Sequence, residues 1–302
     1  MSYGIVDIGS NTVKLNVYRC KDNEINLIFT KKENLGLVFY VKKQMLTDEG
    51  IEKLVSVLKD LKDDLDFLNV ESYSFFATAS LRNIENSDQV IKIIKDRVNI
   101  EIDVISGKQE GELSFLGSVS KIKEDDGILI DVGGGSVEVV LFKNKEIEEK
   151  NSIPVGSLKM YDKYVSYLVP NPEECDQIKE RVCFELKKID ITHREKIPFL
   201  CGVGGSIRAI EQILVDLNLQ SKTDELIDVK LLSQLRNELN HNNKETYNKI
   251  LHVKPSRIHV IVPTLLIMES IISYFGSERL QVSKFSVREG YLYKKMLNRC
   301  PK

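Results

Sequence analysis

Apolar and polar positions alternate along residues 3–8 and again along 13–18, where Val13, Leu15 and Val17 stand against Lys14, Asn16 and Tyr18. A period of two predicts strands, and residues 24–31 predict a third. The period then lengthens. Ile51, Leu54, Val55, Leu58, Leu61 and Leu65 recur at helical spacing behind Thr47, a good capping residue, so a helix is expected over 48–68. A strand over 72–78, a helix over 88–98 carrying Val90, Ile91, Ile94 and Val98, and a short strand over 101–105 follow. The pattern then restarts, with strands at 127–132, 136–142 and 146–152, a helix at 172–189, a strand at 197–203 and a helix at 206–216. Residues 218–256 are polar, with helical pieces near 229–240. Residues 260–275 are apolar at helical spacing, 280–283 read as a strand and 286–297 as a last helix. Strands then helices, twice over, describe two related α/β halves.

An internal repeat supports the duplication. Asp7-Ile-Gly-Ser-Asn-Thr-Val-Lys-Leu15 lines up with Asp131-Val-Gly-Gly-Gly-Ser-Val-Glu-Val139 at one fixed offset, 131 less 7, or 124 residues. So long a period marks a duplicated domain rather than a solenoid. The boundary is expected in the polar stretch 121–126, giving a first domain of 1–123 and a second of 124–302.

Size and composition narrow the function classes. The 302 residues suit two domains, and 42% hydrophobic residues suffice for two cores. Charged residues make up 29% with a net charge of −2, so the basic excess of a duplex nucleic-acid binder is missing. No stretch reads as eighteen apolar residues, so no membrane partner is expected. Met1-Ser2-Tyr3-Gly4-Ile5 lacks the basic start of a signal peptide, and a cytoplasmic location is expected. The five cysteines form no C-x-x-C pair, which predicts reduced thiols rather than zinc. His193, His241, His252 and His259 make no H-E-x-x-H pattern.

The candidate chemistry lies in the glycine turns. A turn such as Gly9-Ser10-Asn11-Thr12 or Gly133-Gly134-Gly135-Ser136 lets backbone N–H groups approach phosphate oxygens, and the hydroxyls of Ser10, Thr12 and Ser136 add donors. Asp7 and Asp131 stand at strand ends, where a carboxylate can hold hydrated Mg²⁺. The structural alternative is a pair of plain hairpin turns. A third turn, Gly204-Gly205-Ser206, opens a helix and combines free N–H groups with the helix dipole; its alternative is a tight strand-to-helix connection. Ser106 and Gln109 fit a capping box, and Glu110 follows in the first turn, where the dipole favours its ionised form. Such a carboxylate can orient a water as general base. Glu138 fills the slot that Lys14 fills in the other repeat. Arg82, after a strand end, suits phosphate pairing or a plain surface position.

With these motifs assembled, the chain resembles the exopolyphosphatase/guanosine pentaphosphate phosphatase (Ppx/GppA) family over nearly its whole length. The matching pieces, in order, are Asp7 to Thr12, Ala77 to Arg82, Ile105 to Glu110, Asp131 to Glu138, Gly202 to Arg208, and Val282 through Arg288-Glu289-Gly290. The resemblance implies an α/β, actin-like ATPase fold of two duplicated domains around a cleft, as in acetate and sugar kinases, heat-shock chaperones and actin. The segment 287–302 would cross back to the first domain. It implies a catalytic base at Glu110 and metal or water roles for Asp131 and Glu138. It carries phosphate contacts onto Gly9, Ser10, Asn11, Thr12, Arg82, Gly133, Gly134, Gly135, Ser136, Gly204, Gly205 and Ser206; from the repeat itself, Lys14 is expected to add positive charge for substrate and Asp7, at its strand end, to be a further metal residue. Three departures stand out. Gln109 replaces a family glutamate, Arg257-Ile258-His259 stands where the family has Arg-Ala-Asp, and the C-terminal domains of longer members are expected to be missing.

The expected activity is Mg²⁺-dependent release of terminal orthophosphate from inorganic polyphosphate, on short chains, with a homodimer left open. The alternatives are pppGpp 5′-phosphohydrolysis, a (p)ppGpp-binding sensor with little turnover, and a sugar or acetate kinase, since a fold alone does not fix function.

Overall fold

The computed structural model describes residues 1–21, 24–189, 196–239 and 244–301. The chain opens with three antiparallel strands, β1 (Ser2–Ile8), β2 (Val13–Lys21) and β3 (Glu24–Glu33). After a small hairpin of β4 (Val41–Lys42) and β5 (Met45–Leu46) comes helix α1 (Asp48–Phe67). Thr47 caps it by accepting from the Gly50 N–H at 3.3 Å. The six apolar residues of its predicted stripe are all buried. Strand β6 (Ser72–Ala77) returns parallel to β1 and leads into α2 (Ala79–Arg82), α3 (Ser87–Val98) and β7 (Ile102–Val104). The sheet order is β3-β2-β1-β6-β7.

Helix α4 (Gly107–Ser118) precedes a second set: β8 (Gly127–Val132), β9 (Val137–Lys143) and β10 (Glu146–Ile153), again antiparallel. Helices α5 (Ser157–Tyr164) and α6 (Pro172–Leu186) lead to β11 (Phe199–Val203), which is parallel to β8. The remainder is α7 (Gly205–Asp216), β12 (Ile227–Asp228), α8 (Lys230–Glu238), α9 (Lys244–Val253), α10 (Ile258–Phe275), β13 (Arg279–Val282) and α11 (Val287–Tyr291). The second sheet reads β10-β9-β8-β11-β13-β12. Its first five strands repeat the order and direction of the first sheet, the topological counterpart of the sequence repeat. Helices α5 and α9 are not foreseen from the sequence. The predicted helical piece 229–240 ends on residue 240, outside the described residues.

Two compact units result: Met1–Glu110 with Lys295–Leu297, and Gly111–Lys294 with Asn298–Lys302. The division precedes the expected 123/124 boundary because most of α4 packs with the second unit. A Cβ on Gly111 would stand 3.0 Å from Val140 and 3.4 Å from Glu138. Gly117 lies against the Ser286 carbonyl and Gly290 against the Leu113 carbonyl, so α4 and α11 touch backbone to backbone. Of the segment 287–302, only Lys295–Leu297 groups with the first unit, where Lys295 pairs with Asp103 at 3.5 Å. The last predicted helix is split: α11 is followed by π-helical Leu292–Met296.

The expectation that no stretch is apolar enough for a membrane span is corrected. Pro255–Phe275 is long and apolar enough by length and composition, and 67% of its most apolar window is buried inside the protein. Leu265, Leu266, Ile267, Met268 and Ile271 belong to the core of the second unit, which explains the high hydropathy.

Candidate active site

The two repeated turns close in the same way. The Gly9 N–H donates to the Thr12 carbonyl at 3.1 Å, and the Gly133 N–H donates to the Ser136 carbonyl at 3.0 Å. The equivalent donors and acceptors keep the offset found in the sequence. Each turn is braced by a different segment. In the first, Gly36 donates to the Asn11 carbonyl at 2.9 Å, Val38 to the Ser10 carbonyl at 3.2 Å, and the Thr12 hydroxyl approaches Asn34 Oδ1 at 3.4 Å. Gly36 has φ of 61°, the left-handed region that glycine tolerates. In the second, the start of α5 donates to the turn: Ser157 to Gly133 O at 2.9 Å, Leu158 to Gly134 O at 3.0 Å and Lys159 to Gly134 O at 2.9 Å.

The strand register sets the acidic groups. Asp131 on β8 stands directly opposite Glu138 on β9, and Glu138 directly opposite Ser152 on β10. Directly opposed residues of antiparallel strands share a face, so the three form a row. Both carboxylates are buried, Glu138 completely. Glu138 Oε1 accepts from Ser136 at 2.8 Å and from Ser152 at 2.9 Å. Asp131 Oδ2 accepts from the Ser114 hydroxyl at 2.5 Å. Ser114 lies one turn beyond Glu110 on α4. In the first unit, Asp7 stands opposite Lys14 in the equivalent register.

Glu110 sits in the first turn of α4 behind the expected box: the Ser106 N–H donates to Gln109 Oε1 at 2.8 Å, and the Gln109 N–H to Ser106 Oγ at 3.2 Å. Its buried carboxylate accepts from Arg82 Nη1 at 2.9 Å. The same nitrogen donates to the Ile105 carbonyl at 2.9 Å. Arg82 therefore positions Glu110 in this structure, a role its sequence context does not reveal. Helix α2 is anchored to the end of β1 through Ser80, which donates to the Ile8 carbonyl.

The third turn adjoins the second. Gly204 has φ of 127°, and a Cβ there would lie 2.8 Å from the Val132 carbonyl. Arg257 fills the space beside Gly205 and donates to Ser206 Oγ at 2.7 Å. Burial, helped by repulsion from Arg208, lowers the Arg257 pKa to about 10. Arg208 is likewise lowered, first by burial and then by Arg288, and donates to the Ser283 carbonyl at 3.3 Å. His259 packs edge-on against Tyr161 with ring centroids 5.2 Å apart. Its pKa is lowered by burial and then by Arg257.

Asp131 and Glu138, directly opposed on neighbouring strands, are carboxylates that could hold a hard divalent cation. Magnesium needs only one or two protein carboxylates, keeping waters and substrate phosphates for the rest. Among the described residues no group of three or more His, Cys, Asp or Glu could hold a metal; His193 and His241 lie outside them. Cys201, fully buried with Asp131 nearby, is pushed up to about 12, which rules out a thiolate nucleophile at neutral pH.

Ser114, Ser152 and Asn34 are residues of the candidate site that sequence reasoning missed, and it gave Arg257 no partner. Ser114 carried a readable signal, since positions four apart on a helix share a face. Ser152 could be reached by counting the register back from the turn of β9 and β10. Asn34 and Arg257 carried none, because chain distance hides their partners.

The Ppx/GppA phosphatase family model matches residues 16–299. A bifunctional 3-dehydroquinate synthase/phosphatase of Fusobacterium nucleatum is 30% identical over 298 residues, covering 92% of this chain. The chain spans 44% of that protein's length. The solved structure of an exopolyphosphatase from Cytophaga hutchinsonii matches with a TM-score of 0.87 at 23% identity over 99% of both chains. That of the Aquifex aeolicus Ppx/GppA family member matches with a TM-score of 0.80 at 24% identity, over 99% of this chain and 98% of the other. These likenesses give the chain the actin-like fold of those structures. With the family model covering nearly the entire length, the chain belongs to the Ppx/GppA phosphatase family.

Proposed function

We propose that the chain is a phosphoanhydride hydrolase of the exopolyphosphatase type, releasing terminal orthophosphate from inorganic polyphosphate. The observation that carries this reading is the pair of equivalent turns whose strand rows differ in charge: Asp7 opposite Lys14 in one, Asp131 opposite Glu138 in the other. A row that carries a lysine suits phosphate, and a dicarboxylate row suits a cation and a water. Family membership and the likeness to an exopolyphosphatase structure support the substrate class.

In the proposed reaction a water oxygen attacks the terminal phosphorus in line. The bond to the bridging oxygen breaks, and the shortened chain leaves with that electron pair. Glu110 orients the water and takes its proton, and Arg82 holds the Glu110 carboxylate in one rotamer. The N–H groups and hydroxyls of residues 9–12 and 133–136, with Gly204, Gly205 and Ser206, hold phosphate oxygens by positioning rather than covalent chemistry. Asp131 and Glu138, with Asp7 as a further candidate, are the residues that would hold Mg²⁺, which when bound neutralises phosphate charge. Ser114, Ser136 and Ser152 fix the carboxylates before substrate arrives.

The test is a phosphate-release panel over polyphosphate lengths and pppGpp, with wild type and Glu110→Gln. Release from polyphosphate that falls by about 10²–10⁴-fold in the variant is expected. Undiminished release overturns the role of Glu110, and release from pppGpp alone replaces polyphosphate as the substrate.

A further inference from the structure

Strands β2 and β3 place a second lysine in the row of Asp7 and Lys14. The register sets Asp7 opposite Lys14 and Lys14 opposite Lys32. Asp7, Lys14 and Lys32 thus occupy, in the first sheet, the row that Asp131, Glu138 and Ser152 occupy in the second. Lys31, one residue earlier, goes to the opposite face, where it lies opposite Leu15 and reaches Asp64 on α1 at 2.6 Å. Alternation therefore commits Lys32 to the face of Asp7 and Lys14.

Two like charges directly opposite one another weaken an antiparallel pair. An anion spanning both ammonium groups offsets that repulsion. Lys14 follows the first phosphate turn by two residues. Lys32 precedes Asn34 by two, and Asn34, Gly36 and Val38 are the residues that brace that turn. Both ends of the lysine pair are thereby tied to the Ser10–Thr12 backbone. The exposed Lys32 side chain adds reach beyond it. With opposed backbones about 5 Å apart, the two lysine stems rise side by side from one face of the sheet.

We propose that Lys32 is a further substrate-binding residue, which with Lys14 cradles phosphate groups of the polyanion beyond the one held by the turn. The proposal rests on the polyphosphate reading given above. A lysine on an edge strand has a competing role, guarding the edge against pairing with another sheet. The two roles make different predictions, because an edge guard leaves the KM for substrate unmoved.

The experiment compares wild type, Lys32→Gln, Lys32→Arg and Lys31→Gln in phosphate release from tripolyphosphate and a longer polyphosphate, at low and high salt. Calorimetric titration with the longer polymer and the thermal midpoint of each protein accompany it. Lys32→Gln is expected to raise KM for the longer polymer about tenfold with little change in kcat. It should also flatten the salt dependence of binding. Lys32→Arg should restore most of the affinity, and Lys31→Gln should leave KM at the wild-type value. A wild-type KM and calorimetric affinity in Lys32→Gln overturn the proposal, as does an equal loss in Lys31→Gln. Wild-type protein that binds the polymer without releasing phosphate overturns the hydrolase reading, and the calorimetric comparison then still decides the role of Lys32. Absence of binding by the wild type overturns both.

Discussion

Arg82 Nη1 lies 2.9 Å from Glu110 Oε2 and equally close to the carbonyl of Ile105, the residue just before the cap Ser106. One guanidinium thus fixes both the carboxylate and the backbone that leads into its helix. Arg82→Ala should lower kcat for phosphate release by about tenfold to a hundredfold, through loss of Glu110 orientation. Arg82→Lys should recover only part of it, because an ammonium on a flexible stem cannot reproduce the fixed fork. Steady-state kinetics on one polyphosphate length check this. A changed KM at unchanged kcat would place Arg82 on the substrate instead.

The Ser114 hydroxyl holds Asp131 at 2.5 Å with both side chains buried. On the proposal that Asp131 holds Mg²⁺, removing this partner should cost about tenfold to a hundredfold in metal affinity. Ser114→Ala is expected to raise the Mg²⁺ concentration for half-maximal activity by that factor, with Ser114→Thr close to wild type. Titration of Mn²⁺ followed by electron spin resonance reads binding independently of turnover. Asp131→Asn as a control tells whether Asp131 holds the cation at all.

These two contacts mark where sequence reading stops. The Thr47 cap, the α1 stripe and the reciprocal bonds of Ser106 and Gln109 were legible because they join residues within one or two turns. The pair of glycine turns was legible because duplication wrote it twice. Ser114 to Asp131 and Arg257 to Ser206 join separate elements, and only the fold brings them together. The compact units divide earlier than the expected 123/124 boundary for a related reason. Lys121 to Asp126 is polar enough for a linker, yet the glycines at 111, 117 and 290 let α4 sink against β9 and α11, which ties it to the second unit.

Gly290 has no room for a side chain, since a Cβ would collide with the Leu113 carbonyl on α4. That oxygen is backbone in a helix and cannot swing aside. Gly290→Ala should therefore destabilise the protein by at least about 1–3 kcal/mol, the usual range for overpacking. The shift in urea midpoint at constant m measures it. The same change at Gly133, whose Cβ would stand 3.1 Å from the Ser136 carbonyl, should cost less stability and more activity.

His259 supplies a pH dependence of stability with a definite sign. Burial, then Arg257, hold its folded pKa below the ordinary value of about 6.5 that it regains on unfolding. Above about pH 6.5 the ring is neutral in both states and costs nothing. Below that, the unfolded chain takes up a proton that the folded ring resists, so stability falls with pH until the folded value is passed and then levels. Urea unfolding at about pH 7.5 and about pH 5 should show a smaller loss for His259→Gln than for wild type. The packing on Tyr161 makes some loss of stability in the variant expected at both pH values, so the informative quantity is the difference between them. Equal differences in the two proteins would show that the ring titrates alike in the folded and unfolded states.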